Sequence, residues 1–121
     1  MIDSKTLEQI TLIAHYIHDH KGDNTVAIDV SESSSWADCF IIATVTSFGH
    51  LRGLSRSLWG YLAEHGIEVL NRHKQVTSDG WLLIDTGDII IHLMSSEMRE
   101  FYSLEKLWHQ APRIELELPV R

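Results

Sequence analysis

The chain has 121 residues with a formal net charge of −7, and 44% of its residues are hydrophobic. That length suits one domain, because a single core commonly organises about 100 to 150 residues. The negative charge argues against direct nucleic-acid readout, since affinity for phosphate backbones comes largely from Lys and Arg. Cys39 is the only cysteine, so no internal disulfide can form and the reducing cytoplasm is the expected compartment. We therefore expect one domain over residues 1–121.

Neither a signal peptide nor a membrane span is predicted. The N-terminus opens an amphipathic segment with acidic residues, whereas a signal peptide has a basic region followed by an apolar run. No window reaches the roughly 18 continuous apolar residues of a transmembrane helix. We expect no membrane partner.

A helix, a strand and a loop are predicted at the start of the chain. Asp3 or Ser4 can cap the helix, and apolar residues recur at helical spacing until Gly22 ends it. Alternating residues over Val26–Val30 are typical of a half-buried strand. The Ser-rich stretch Ser31–Ser35 is predicted to be a loop.

The middle of the chain holds a continuous apolar run and a second amphipathic segment. Cys39–Ala43 is apolar throughout, which is the pattern of a central strand covered on both faces. A second helix is predicted between a cap at Ser47 and a terminator at Gly66. Ile67–Leu70 is then predicted to be another strand.

The C-terminal part predicts a hairpin and a last helix. The apolar strands Trp81–Asp85 and Ile89–Met94 flank a short Thr-Gly-Asp turn, which is typical of a tight hairpin. The last helix should begin near Ser95 or Ser96. Three of its residues are expected in the core: Phe101, Leu104 and Trp108.

Residues 111–121 form a tail in which apolar and acidic residues alternate from Ile114 to Leu118. Because Pro112 and Pro119 bracket this alternation, the tail could be only an edge strand or an extended arm. Together with the earlier elements it indicates an α/β domain, a mixed sheet with helices packed on it.

Two blocks of sequence resemble those of a known family. The first block runs from Ser34 to Thr44 and is followed by Thr46-Ser47 and His50. The second comprises Trp81–Asp85, Gly87-Asp88, His92, Arg99, Phe101-Tyr102 and Leu104–Trp108. In order and spacing these blocks resemble the ribosomal silencing factors of the RsfS (Iojap) family, and the resemblance spans nearly the whole chain. Three positions depart from the usual family pattern: Val45, Gly49 and Thr86.

The resemblance implies a fold, a partner and a mechanism. It implies an α/β domain with a mixed sheet of about five strands, related to the nucleotidyltransferase fold but without its catalytic residues. It also implies binding to ribosomal protein L-fourteen on the large ribosomal subunit, so that the small subunit cannot join and translation is repressed. It implies a homodimer for the free protein, and an adaptor rather than an enzyme.

Six residues are candidates for the partner-binding surface. Trp81 could be an interface anchor or a core plug, and Trp is enriched in interface hot spots. Asp85 and Asp88 could meet Lys and Arg of a basic partner or simply shape the turn. The remaining three could rim a partner surface or support the fold by pairing with the hairpin: Arg99, Glu100 and Tyr102.

The alternative function is a nucleotide-dependent enzyme of the nucleotidyltransferase type that uses Asp85 and Asp88. Such an enzyme needs a Gly-Ser phosphate-binding turn and a close Asp-x-Asp pair that holds magnesium. The chain has no Gly-Ser, and the two carboxylates have a different spacing. We therefore favour an adaptor that needs no cofactor and no metal.

Four other residues have side chains that could bind metal or act as nucleophiles. His15 and His18 lie three apart on the first helix, but no Cys, Asp or Glu completes an obvious metal site. His92 lies inside an apolar strand and is predicted to be a satisfied structural histidine rather than a general base. Cys39 also lies in an apolar strand, where desolvation suppresses the thiolate, so a buried small hydrophobe is predicted.

Overall fold

The computed structural model of the chain describes residues 2–71 and 80–120. Its elements are, in chain order, α1 (Ser4–Asp19), β1 (Asp23–Asp29), β2 (Cys39–Val45), α2 (Phe48–Glu64), β3 (Trp81–Asp85), β4 (Ile89–Ser95), α3 (Ser96–Tyr102), α4 (Leu104–Leu107) and β5 (Arg113–Ile114). No helix within the described residues is long and apolar enough to cross a membrane.

The five strands form one mixed sheet in the order β3-β4-β2-β1-β5. The central pair β2 and β4 is parallel, and the other three pairs are antiparallel. This arrangement confirms the predicted mixed sheet of about five strands. It also explains the apolar run in β2, because a strand with a neighbour on each edge and cover on both faces has no polar side to present.

The two long helices begin at the predicted caps. The Asp3 carboxylate accepts a hydrogen bond from Thr6 N at 2.7 Å, and the Ser47 hydroxyl accepts one from His50 N at 2.9 Å. Such caps satisfy backbone N–H groups that have no partner within the helix. Both helices pack on one side of the sheet, which we call the covered face. Its buried side chains include Ile10, Ile13 and Ile17 of α1, Leu51, Leu54, Leu58 and Leu62 of α2, and Ile41, Ile84 and Ile91 of the sheet.

The opposite side of the sheet, which we call the aromatic face, has a smaller core. It is formed by alternate strand residues that include Ile28, Phe40, Ile42, Ile90 and Met94. The cover comes from α3, α4 and the residues that follow, through Met98, Leu104, Trp108 and Ala111. Because α3 and α4 are short, several apolar side chains on this side remain exposed to solvent.

The predicted strand at Ile67–Leu70 is wrong, since this segment follows α2 as irregular chain. It reaches the edge of β3 mainly through Asn71, whose side chain donates to Leu83 O at 2.7 Å and accepts from Asp85 N at 2.9 Å. A single backbone bond, from Leu70 N to Asp85 O, accompanies this contact. A side-chain amide therefore occupies edge groups of β3 that a neighbouring strand would use.

The predicted last helix is interrupted at Ser103, which adopts left-handed backbone angles with φ 46° and ψ 54°. The Ser103 hydroxyl donates to Glu100 O at 2.6 Å, a local bond that competes with helical hydrogen bonding. The break separates α3 from α4 and turns Phe101 outward, where 78% of it is exposed. The prediction of Phe101 as a core residue is therefore wrong, whereas Leu104 and Trp108 do pack against the smaller core.

The tail pairs with β1 and then runs along α1. The edge strand β5 has two residues. Its Ile114 lies opposite Ala27 of β1 in an antiparallel ladder. Beyond it the chain has no regular secondary structure, and Leu116 is buried against the covered face. The rings of His15 and His18 bond through Nε2 to Leu116 O and Pro119 O, each at 2.7 Å.

Candidate partner-binding surface

Strand β3 presents alternate side chains to the two faces of the sheet. Leu82 and Ile84 are buried on the covered face, so Trp81, Leu83 and Asp85 lie on the aromatic face. Trp81 and Asp85 are half-buried there, and Leu83 is 38% exposed. The β3 edge of the sheet therefore combines a large ring, an aliphatic side chain and a carboxylate in one row.

The Trp81 ring is held from two sides. Its Nε1–H donates to His92 Nδ1 at 3.2 Å across the β3–β4 ladder. Its ring centroid lies 4.8 Å from that of Tyr102 at the end of α3, and Tyr102 contacts Phe101 edge-on at 5.0 Å. The ring is thus neither a fully buried plug nor a free surface side chain, and Tyr102 and Phe101 continue its apolar surface into solvent.

Phe40 connects this group to the rest of the aromatic face. Its ring makes edge contacts with His92 at 5.1 Å and with Trp108 at 5.3 Å. Trp36, from the Ser-rich loop, lies 5.8 Å from Phe40 and is 63% exposed. Aromatic rings therefore run without a break from the exposed Trp36 through the buried Phe40 and His92 to Trp81.

His92 is a buried, uncharged member of this group. Only 5% of the residue is exposed, and burial lowers the pKa of the imidazole to about 4. At neutral pH the ring is therefore neutral, and its Nδ1 can accept the hydrogen bond of Trp81. His92 is therefore structural, as predicted, but it is only partly satisfied, because its buried Nε2 has no hydrogen-bond partner within the described residues.

Arg99 does not belong to the exposed surface. It is 8% exposed, and its Nε donates to Glu105 Oε1 at 2.8 Å. One of its terminal nitrogens donates to Thr44 Oγ1 at 3.0 Å. The bond to Arg99 lowers the pKa of Glu105, with smaller contributions from the charges of Arg99 and Arg113. Arg99 thus supports the fold by tying α3 to α4 and to β2, and not by the predicted pairing with the hairpin.

Glu100 and Tyr102 lie on the solvent side of the same helix. Both are exposed, and Tyr102 leaves 47% of its surface open. Tyr102 is adjacent to Trp81, whereas no contact in the described residues joins the Glu100 carboxylate to the hairpin. Of the candidates on α3, Tyr102 is therefore the one that joins Trp81 in a continuous surface.

The two hairpin carboxylates differ in their environment. Asp85 accepts a hydrogen bond from Gly87 N at 2.8 Å and so shapes the turn, in which Gly87 has a φ of +96°. The Asp88 side chain is exposed, while its backbone carbonyl accepts from Asp38 N at 2.8 Å and from Cys39 N at 3.1 Å. Asp85 is therefore a turn former and Asp88 the carboxylate open to a partner.

The described residues offer no arrangement for metal or thiol chemistry. Among them, no group of three or more His, Cys, Asp or Glu side chains could hold a metal ion. Burial raises the pKa of the Cys39 thiol to about 12, so the thiolate needed for nucleophilic attack does not form. This agrees with the prediction of a buried, inert cysteine.

Two stretches beside the aromatic face carry acidic residues and no Lys or Arg. The sequence has no Lys or Arg between Gly22 and Leu51, nor between Gly80 and Met98. These two stretches supply the β1–β2 loop and the β3–β4 hairpin, which meet where Asp38 bonds Asp88. Their acidic residues are Asp23, Asp29, Glu32, Asp38, Asp85, Asp88 and Glu97.

Comparison with known proteins identifies the family. The family model described as "Ribosomal silencing factor during starvation" (RsfS) matches residues 3–121. The chain belongs to the RsfS family. A Halalkalibacterium halodurans protein named ribosomal silencing factor RsfS is 34% identical over 110 residues, which cover 91% of this chain and 93% of that protein. Membership gives the chain a ribosome-associated silencing role.

A solved structure and a mitochondrial relative extend the comparison. A crystal structure of a Bacillus halodurans protein has a TM-score of 0.74 and 29% identity, and the match covers 91% of this chain and 99% of that one. A mouse protein named "Mitochondrial assembly of ribosomal large subunit protein 1" is 28% identical over 110 residues, which cover 82% of this chain and 44% of that protein. The RsfS resemblance and the mixed α/β fold are both confirmed.

The structure accommodates the three departures from the RsfS pattern. Val45 ends β2 and is buried in the core. A Cβ atom at Gly49 would meet only Ser47 Oγ, at 3.9 Å, so a larger residue would also fit there. The Thr86 hydroxyl donates to Ile89 O at 2.9 Å and closes the hairpin turn. None of these positions changes the surface around Trp81.

Three exposed apolar residues of this RsfS surface were missed from sequence. Leu83 could have been found, because strand alternation places it on the same face as Trp81. Trp36 and Phe101 gave no such signal: one lies in a loop without periodicity, and the other fits a helical core pattern that the break at Ser103 overrides.

Proposed function

We propose that this RsfS protein binds the large ribosomal subunit through ribosomal protein L-fourteen, using the aromatic face around Trp81. The observation that carries the proposal is the partial cover of this face. Trp81 is half-buried, and three neighbouring apolar side chains remain exposed: Leu83, Phe101 and Tyr102. A rigid ring at the centre of an apolar patch has the form of an interface hot spot.

Two further observations support this partner. The mouse relative carries the assembly of the ribosomal large subunit in its name. The acidic stretches beside the patch favour a basic protein surface and disfavour bare RNA, because complementary charge steers association. Asp88 and Glu100 are exposed carboxylates that can meet Lys and Arg of the partner.

The proposed mechanism is steric exclusion in the cytoplasm. The domain occupies a protein surface on the large subunit, and the small subunit then cannot join, so translation is repressed. No bond is made or broken, and no cofactor takes part. Inhibition requires only that the complex outlives the encounter between subunits. Arg99 and Asp85 act indirectly, because they hold α3 and the hairpin turn in place.

We also propose that the free protein forms a homodimer. An exposed apolar patch on a small domain favours association with a second copy, most often by a two-fold axis that pairs the same patch on both chains. Dimer formation through Leu83 and Phe101 would compete with the ribosome. A concentration-dependent mass in analytical ultracentrifugation, abolished by Phe101→Asp, is the expected result.

Co-sedimentation with separated ribosomal subunits tests the main proposal. We expect the protein to sediment with large subunits and not with small ones, and to lower the yield of joined ribosomes when added before mixing. Trp81→Ala should weaken binding by about 2 kcal/mol, the scale of a central interface Trp. Circular dichroism and thermal melting must show that the variant is folded. Equal binding to both subunits would contradict the mechanism.

A second measurement separates the adaptor from the alternative enzyme. A nucleotidyltransferase that uses Asp85 and Asp88 would bind nucleotide in the presence of magnesium, and Asp88→Asn would abolish that binding. An adaptor binds large subunits with or without nucleotide. Magnesium-dependent binding of nucleotide that Asp88→Asn abolishes would therefore favour the enzyme.

A further inference from the structure

His92 and Trp81 are eleven positions apart and meet across the β3–β4 ladder. In that ladder Leu83 lies opposite His92 and Trp81 opposite Met94, so the two rings are diagonal neighbours on the aromatic face. The indole Nε1–H donates to Nδ1 of the imidazole at 3.2 Å, and the ring centroids are 5.8 Å apart. His92 is buried, whereas Trp81 is the half-exposed member of the pair.

We propose that His92 is a positioning residue, which holds the Trp81 indole in the orientation that it presents to the partner. The inference rests on the proposed function for the role of Trp81, and it adds a residue that the partner does not touch. His92 acts through the hydrogen bond to Nε1, and its own ring stays beneath the surface.

The polar group of the Trp81 ring is its indole N–H. It is a donor with no acceptor capacity, so it needs a partner whenever water is removed from it. If the N–H bonded water in the free protein, an apolar partner surface that covered the ring would leave it unsatisfied. His92 already satisfies the donor from inside the domain, so binding can cover Trp81 without that loss.

The Trp81 ring is also ordered before the partner binds. A side chain that is fixed in its bound orientation loses less conformational entropy when the complex forms. The bond to His92 on one side and the contact with Tyr102 at 4.8 Å on the other leave the Trp81 ring little freedom. The free protein therefore presents a surface that is already arranged for its partner.

The state of the imidazole fits this role. Because Nδ1 accepts, Nε2 carries the proton of the neutral ring. Nε2 is buried and has no hydrogen-bond partner within the described residues. The ring is otherwise held by packing, with an edge contact to Phe40 at 5.1 Å. Trp81 is thus the one hydrogen-bond partner that the described structure gives to the His92 ring.

Two substitutions separate the hydrogen bond from the bulk of the ring. His92→Phe keeps an aromatic ring of similar size but removes the acceptor. His92→Asn is smaller but keeps an acceptor close to the position of Nδ1. In a ¹H–¹⁵N spectrum the Trp81 indole signal, assigned with Trp81→Phe, should shift and exchange faster with solvent in His92→Phe. We expect His92→Asn to restore much of the protection.

Binding to large subunits supplies the second readout. We expect His92→Phe to weaken binding on the order of tenfold, the scale of one buried donor left unsatisfied. In a Trp81→Phe background, which has no N–H to position, His92→Phe should have no further effect. Thermal melts of all four proteins show whether a variant has lost its fold rather than its bond.

The outcomes distinguish the inference from the function on which it rests. An indole signal that is unchanged by His92→Phe, or equal losses of binding with and without the N–H of Trp81, would overturn the positioning role. If the wild-type protein does not bind large subunits, the proposed function fails. The indole spectrum would then still decide whether His92 holds the ring.

Discussion

The two faces of the sheet differ in how completely the helices cover them. The covered face lies beneath two long helices, and its buried side chains are mostly Ile and Leu without polar atoms. The aromatic face lies beneath α3 and α4, which are short, and it contains a buried histidine and rings that reach the solvent. The covered face stabilises the domain by removing apolar area from water, whereas the aromatic face leaves part of its apolar surface exposed to solvent.

The difference follows from the lengths of the covering elements. Helices of 16 and 17 residues can shield the whole length of a strand, whereas α3 and α4 have only 7 and 4 residues. Side chains at the margin of a short cover remain partly exposed, which is normally a liability for a soluble protein. We infer that partner binding explains why this face keeps them.

The largest expected effect is on stability, from a cavity in the covered face. Leu58 is completely buried in α2, so Leu58→Ala should lower the free energy of unfolding by about 3 kcal/mol. Leu104→Ala on the aromatic face should cost about 1 kcal/mol, because Leu104 is only half-buried. Urea denaturation measures both values. Equal losses would contradict the assignment of stability to the covered face.

A similar effect is expected from pH, through His92. The folded state lowers the pKa of this imidazole from 6.5 to about 4, so between these values the unfolded chain binds a proton that the folded chain does not. The free energy of unfolding should therefore fall as pH decreases from 6.5 and level off below 4, by roughly 3 kcal/mol in total. Above pH 6.5 this contribution is fully present.

His92→Asn isolates that contribution, because the lowered pKa of Glu105 also makes the protein less stable in acid. The difference between the wild type and the variant should change with pH between 4 and 6.5 and be constant above it. Denaturation curves of both proteins at about five pH values would measure this difference. A difference that does not vary with pH would mean that His92 is not held neutral by burial.

A matched pair of leucines compares the faces in partner binding. Leu83 on the aromatic side and Leu7 on α1 are 38% and 43% exposed. Leu83→Ala should weaken large-subunit binding by about 1 kcal/mol, or fivefold, and Leu7→Ala should leave it unchanged. Because both variants remove the same atoms at similar exposure, a shared loss would move the interface away from the aromatic face.

The smallest expected effect is electrostatic. Asp88→Lys should slow association with large subunits about threefold at low salt, and the effect should fade as salt screens the charge. Glu64→Lys makes the same charge change at an exposed position at the end of α2, and we expect it to alter association less. Stopped-flow kinetics at two ionic strengths would compare them. A faster dissociation rate for Asp88→Lys would argue against simple steering, because it would place Asp88 in a contact of the final complex.

Local sequence determined most of the scaffold. Asp3 and Ser47 cap their helices as predicted, because capping depends on a side chain and N–H groups only three residues away. The apolar run of β2 and the Thr-Gly-Asp turn predicted a central strand and a hairpin for equally local reasons. The two blocks of RsfS resemblance then gave the family, since their order and spacing are read directly from the sequence.

The candidate site was only partly determined in this way. Trp81, Asp88 and Tyr102 were chosen from sequence and lie where a partner could reach them, whereas Arg99 is buried against Glu105. Alternation along a strand shows which face of the sheet a side chain lies on. It does not show how much of that face another element covers. The exposure of Leu83 is therefore visible only in the packed structure.

Tertiary structure decided the remainder, because it depends on residues that are distant in the chain. Ile67–Leu70 has the composition of a strand, yet the Asn71 side chain takes edge groups of β3 that strand pairing would need. Ser103 breaks a helix that periodicity would continue, and this exposes Phe101. The bond between Trp81 and His92 exists only because a hairpin brings the two rings together on one face. Sequence periodicity reports the neighbours within an element, whereas these contacts arise between elements.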